Sequence, residues 1–161
     1  MSQPLTIICD ENINGAEWIV IILSLYPLNL NAMKHNAISI RPFIGAKDFD
    51  LSRKFYRDLG FEEKELDNEL SVFKSGAQAF YLQRAYVKDW IDNTMVFMEV
   101  DSVDLFYNAL KALDLPAKYE GVRLTPTRTL DWGKECFLHD PSGILWHFGE
   151  FAKSNSPVGA A

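Results

Sequence analysis

Between Ala37 and Phe151 the apolar positions of this chain switch between a period of two and a period near 3.6, and the switching predicts its elements. Ile38, Ile40 and Ile44, set against Ser39, Arg41 and Phe43, predict a strand over 37–44, with Pro42 marking an edge or a bulge. Leu51, Phe55 and Leu59 recur every fourth residue and predict a helix, capped by Asp48 or Asp50 and stopped by Gly60. Three short strands are expected next, near 61–66, 70–74 and 77–84, with Asp67-Asn68 and Ser75-Gly76 as the turns between them. After a connector over 86–93 that contains Trp90, the pattern begins again. A strand over 95–100 leads to a helix from Asp101 or Ser102 to Leu113, which Leu115-Pro116 ends, and strands follow near 117–122, 134–138 and 144–148. The loop between the first two of these, 123–132, carries two arginines and Trp132.

The halves repeat at an offset of 54 residues: Phe43 falls on Phe97, Leu51 on Leu105, Tyr56 on Leu110 and Leu59 on Leu113. Each half reads strand, helix, strand, strand, strand, so the expected organisation is an α+β chain with two tandem βαβββ modules at 37–86 and 94–151. One such unit cannot cover its own sheet. Two of them predict an eight-stranded curved, incompletely closed sheet with the helices outside and a concave pocket. Residues 1–36 are then an N-terminal extension and 152–161 a flexible tail. In the extension the apolar run from Trp18 to Leu25 is too short for a membrane span and Pro27 soon follows it, while residues 1–17 lack the Lys or Arg of a secretory signal.

Composition narrows the function classes. With 48% hydrophobic and 24% charged residues, the 161-residue chain is ordinary for a soluble domain. A formal charge of −6 argues against nucleic acid, which needs clustered Lys and Arg. Two distant cysteines, Cys9 and Cys136, make neither a disulfide framework nor a zinc site and point to reduced thiols in the cytoplasm.

The helix end KDFDLSRKFYRDLGF at 47–61 and the hairpin HDPSGILWHFGE at 139–150 resemble those of the glyoxalase, bleomycin-resistance and extradiol-dioxygenase superfamily, the vicinal oxygen chelate fold. The resemblance runs from Ala37 to Phe151. It implies a homodimer, and it implies divalent-metal ligands on the first and last strands of each repeat. Those positions read here as Arg41, Tyr81 (or Phe80 if the register shifts by one), Met95 and His147. Only His147 is a good ligand, and at about 4 Å a guanidinium repels a cation charge by about 4 kcal/mol even at an effective dielectric of 20. No metal cofactor is therefore expected, and metal-dependent chemistry is disfavoured.

Strand alternation aims Ser39, Arg41, Phe43, Tyr81, Gln83, Phe97, Glu99, Leu145 and His147 into the concavity, with Trp90 and Trp132 arriving from loops. Aromatic walls with a few polar handles suit a small aromatic or amphipathic ligand, anionic where Arg41 holds it through its donor fork. The ligand-binding candidates are thus Arg41, Phe43, Tyr81, Gln83, Trp90, Phe97, Trp132 and His147. An internal ion pair with Glu99 is the structural alternative for Arg41. The competing expectation is a lyase, isomerase or dioxygenase in which His147 and Glu99 carry the proton chemistry, with or without a metal. Trp146 and Phe148, on the opposite strand face, are expected in the core, as are Phe55 and Tyr56.

Overall fold

The computed structural model describes residues 36–152, so the expectations for the N-terminal extension up to residue 35 and for the tail from residue 153 lie outside the described residues. The compact unit that begins at Ser39 contains both modules. The first comprises β1 (Phe43–Gly45), α1 (Phe49–Asp58), β2 (Glu62–Asp67), β3 (Leu70–Ser75) and β4 (Gln78–Gln83). A four-residue helix, α2 (Lys88–Ile91), lies in the connector. The second comprises β5 (Met95–Glu99), α3 (Val103–Leu113), α4 (Leu115–Lys118), β6 (Arg123–Leu124), β7 (Arg128–Leu130), β8 (Gly133–His139) and β9 (Leu145–Phe151).

The α+β class and the repeated unit stand, and the first strand of each half runs parallel to the last, β1 on β4 and β5 on β9. The strands nevertheless form two separately hydrogen-bonded sheets, ordered β1-β4-β3-β2 and β5-β9-β8-β6, with β7 also on β8. Three local expectations change. The strand over 37–44 shortens to Phe43–Gly45, because β4 is its neighbour and offers partners only from Tyr81 to Gln83. Residues 117–122 are not a strand: Pro116, its φ preset for a first helical turn, opens α4 instead. The supposed loop at 123–132 supplies β6 and β7, both paired with β8.

Helix α1 starts where the Asp48 carboxylate accepts the Leu51 N–H at 2.9 Å, and Ser102 caps α3 in the same way. The buried stripe of α1 is Phe49, Ser52, Phe55 and Tyr56, which keeps Phe55 from the expected stripe but leaves Leu51 38% exposed. One core serves both halves. The Tyr56 ring meets Phe73 and Phe80 of the first sheet at 5.4 and 4.9 Å and Trp146 of the second at 6.0 Å. Val103 and Leu110 of α3, with Cys136, Leu138 and Phe148, continue that core.

A polar clasp crosses the same junction. Asp140 accepts hydrogen bonds from the Tyr56 hydroxyl at 2.7 Å and from the backbone N–H groups of Ser142 and Ile144 at 2.8 Å each. Trp146 Nε1 donates to the Tyr56 oxygen, and the Ser142 hydroxyl accepts the Lys47 N–H at 3.0 Å beside the Ser52 hydroxyl. Desolvation pushes the Asp140 carboxyl up to about 6, partly offset by these donors.

Candidate functional site

Because Ile44, Phe80, Leu82, Trp146 and Phe148 face the shared core, the alternate positions of the same strands form an open face on each sheet. On the first sheet Phe43 stacks on Tyr81 with 4.6 Å between ring centroids, and half-buried Gln83 lies opposite Gly45. These three expected site residues do share a face.

The second sheet is richer in chemistry. Its registers put Phe97, His147 and Phe137 in one row across β5, β9 and β8, and Glu99, Gly149 and Glu135 in the next. Arg128 continues the latter row on β7. Glu135 is the central group: its side chain is only 5% exposed, whereas that of Arg128 is 56% exposed. Arg128 donates from Nε to Glu135 Oε1 at 2.7 Å and from Nη2 to the same oxygen, which supplies the partner a buried carboxylate requires. The other oxygen, Oε2, faces His147 Nδ1 at 3.5 Å, inside ion-pair range but longer than a hydrogen bond. Phe137 sets the imidazole plane edge-on at 4.6 Å and is itself covered by the Arg128 guanidinium at 4.5 Å.

Beside this group Phe97, Trp132 and Phe151 form an aromatic cluster with centroid separations of 5.4 to 6.2 Å. Gly149 makes it possible. A Cβ there would lie 2.3 Å from Cζ of Phe97, so only a residue without a side chain lets that ring lie across β9. Two flanking groups stay quiet. Burial, with Glu135 nearby, pushes the Cys136 thiol up to about 11, leaving it protonated and unreactive. Burial, then Arg123 and His147, lowers the proton affinity of His139, whose Nδ1 is buried without a hydrogen-bond partner.

The expected site residues therefore divide. Phe97, Trp132 and His147 share the second face, while Phe43, Tyr81 and Gln83 share the first. Arg41 lies exposed, outside β1, and Trp90 is exposed on α2. The expected Arg41–Glu99 pair does not form: among the described residues no ion pair includes either, because β1 ends short of Arg41 and Glu99 is exposed on β5. Between β5 and the end of β4 that β1 leaves unpaired runs a groove of about 380 Å3 lined by Pro42, Phe80, Val96, Phe97 and Trp146. Glu135, Arg128, Phe137 and Phe151 were not anticipated. The available signal was Glu135 itself, a lone carboxylate inside the run 134–138 and two residues from Phe137, hence on the same face.

A divalent metal fits these residues poorly. The four usual positions offer a guanidinium, a phenol, a thioether and one imidazole, and among the described residues no three His, Cys, Asp or Glu side chains converge.

No protein-family profile matches the sequence, and no curated protein matches it. Solved structures do. The bleomycin-binding protein from bleomycin-producing Streptomyces verticillus, complexed with copper(II)-bleomycin, superimposes with a TM-score of 0.63 at 24% identity, over 74% of this chain and 100% of that one. The bleomycin resistance determinant encoded on the transposon Tn5 gives 0.62 at 19% identity, over 73% and 100%. Lactoylglutathione lyase from Agrobacterium tumefaciens gives 0.54 at 22% identity, over 72% and 96%. The fold is that of the glyoxalase, bleomycin-resistance and dioxygenase superfamily, the vicinal oxygen chelate fold.

Proposed function

We propose that this protein binds a small aromatic or amphipathic molecule on the open face of its second sheet, without a metal cofactor. The observation that carries the reading is the exposed cluster of Phe97, Trp132 and Phe151 beside His147, Glu135 and Arg128, an apolar platform next to convergent polar groups. Two of the similar folds are bleomycin-binding proteins solved with bleomycin, which supports a ligand of this class. Phe43, Met95 and Phe97 are large apolar side chains left about half exposed or more, and this supports a homodimer in which a second copy covers the open faces. A free, buried Cys136 fits a cytoplasmic location, and among the described residues no helix is long and apolar enough to cross a membrane.

Tryptophan fluorescence titrated with bleomycin tests the site, and sedimentation equilibrium tests the dimer. A saturable change that is lost in Trp132→Ala and weakened at least tenfold in Phe97→Ala supports it. Equal titrations in both variants would place binding elsewhere. A second reading, an acid–base enzyme of the same superfamily, draws on the contact of His147 with Glu135. Glu99, the partner expected from the sequence, is one strand away on the far side of Gly149.

A further inference from the structure

We infer that Glu135 is a positioning residue that holds His147 in the Nδ1–H tautomer, so that Nε2 is a bare acceptor for an aromatic ligand bearing an acidic hydroxyl, a phenol or an enol. The inference rests on the second face being the ligand site and adds which atom meets the ligand and what that ligand must donate.

Glu135 has two oxygens in different situations. Oε1 takes both Arg128 donors, a charge-assisted pairing that leaves Oε2 free of the guanidinium. Oε2 is aimed at His147 Nδ1 from 3.5 Å. A neutral imidazole carries one N–H and one lone pair. Placing the lone pair at Nδ1 would set it against a carboxylate oxygen, whereas placing the N–H there gives an attraction that a small closure turns into a hydrogen bond. Phe137, perpendicular to the imidazole at 87° and itself covered by Arg128, holds the plane of the ring in which Nδ1 faces Glu135. The lone pair is thereby left on Nε2 of a side chain that is 23% exposed.

A lone-pair acceptor selects a donor. On the same face Phe97 lies across Gly149 and joins Trp132 and Phe151, so the donor must belong to a flat, apolar ring system. A carboxylate would instead place negative charge against the bare Nε2 lone pair, and Arg128 has already spent two donors on Glu135. If the proton crosses fully, it leaves the ligand oxygen for Nε2, giving an oxyanion and an imidazolium whose Nδ1–H faces Glu135. That is the first half of an acid–base reaction, and the same geometry serves simple binding.

Long-range 1H–15N correlation of the histidine side chains at pH 7.5 decides the first part on the wild-type protein alone. The expected spectrum shows His147 as the Nδ1–H tautomer, shifting toward Nε2–H in Glu135→Gln. An Nε2–H majority in the wild type, or a distribution unchanged in Glu135→Gln, overturns the positioning role. Equilibrium dialysis at pH 7.5 with 4-chlorophenol, which keeps its hydroxyl proton at that pH, and 4-chloroanisole decides the second part. The phenol is expected to bind at least tenfold more tightly than its methyl ether in the wild type, because a site built to pair a hydroxyl rejects the analogue that lacks it. The preference is expected to fall below about twofold in Glu135→Gln. Equal binding of the two compounds overturns the ligand class. Binding of neither overturns the ligand class, while the bleomycin titration decides separately whether this face takes a small molecule, and the tautomer result stands or falls on its own.

Discussion

The two sheets share one plan and differ in what their open faces carry. In both, a first strand lies parallel beside the last and an apolar inner face joins a common core. Each module also has one shielded glutamate, and the two are used differently. Glu63 of the first takes Arg53, Arg57 and the Ser71 hydroxyl; burial alone would raise its carboxyl, but these partners outweigh it and hold the group below the usual carboxylate range. Both of its oxygens are occupied, and it ties α1 to β2 and β3. Glu135 is equally shielded but gives one oxygen to Arg128 and turns the other to an imidazole. A duplicated scaffold can keep its core constant and confine its chemistry to one copy, because alternate strand positions decouple the buried face from the open one.

The comparison can be broken at the core with the largest effect. Trp146→Ala, at the shared junction, is expected to cost about 3–5 kcal/mol in chemical denaturation. Both halves should still unfold in a single transition; two separate transitions would show that the halves do not share a core. The clasp comes next. Asp140 has its ordinary value near 3.8 when unfolded and is raised to about 6 by burial, so its protonated form is favoured in the fold. The stability it contributes is fully present below pH 3.8 and is lost as pH rises through about 6, an effect on the order of 3 kcal/mol. Urea midpoints measured between pH 4.5 and 7.5 should show this fall, and Asp140→Asn should flatten it.

A third substitution separates the two faces. Gly149→Ala forces Phe97 off β9 and should cost about 1–3 kcal/mol while displacing the Trp132 cluster, seen as a shifted tryptophan emission maximum. Ordinary emission and stability would mean that Phe97 moves freely. The smallest effect belongs to the exposed rim of the first module. Glu65→Gln removes a pairing with Arg53 that is half exposed and should change stability by less than about 1 kcal/mol in denaturation. A larger loss would make the first module's charges as consequential as those of the second.

Much of this was legible from residue patterns. The repeat, both long helices, the Asp140 turn and the buried positions of Phe55, Tyr56, Trp146 and Phe148 follow from periodicity and turn chemistry, which are local. What escaped depends on pairing partners distant in sequence. Nothing in residues 37–42 tells how much of β4 lies alongside, so a convincing strand pattern ends as three paired residues and Arg41 loses its place in the site. The run 123–132 holds only two- and three-residue strands, too short for alternation to register. Glu135 gains its meaning only from Arg128 and His147, which pairing of β7 and β9 with β8 brings to it.

The clasp also sets a timetable for the chain's birth. Tyr56 and its Trp146 partner are 90 residues apart, and Lys47 and Ser142 are 95 apart. At ribosomal rates of about 5–20 residues per second, the first module waits roughly 5 to 20 seconds before the strand that covers Tyr56 has been made. During that interval its inner aromatic face has no lid, and nascent-chain crosslinking at Phe61 or Phe80 should capture whatever shields it until β9 arrives.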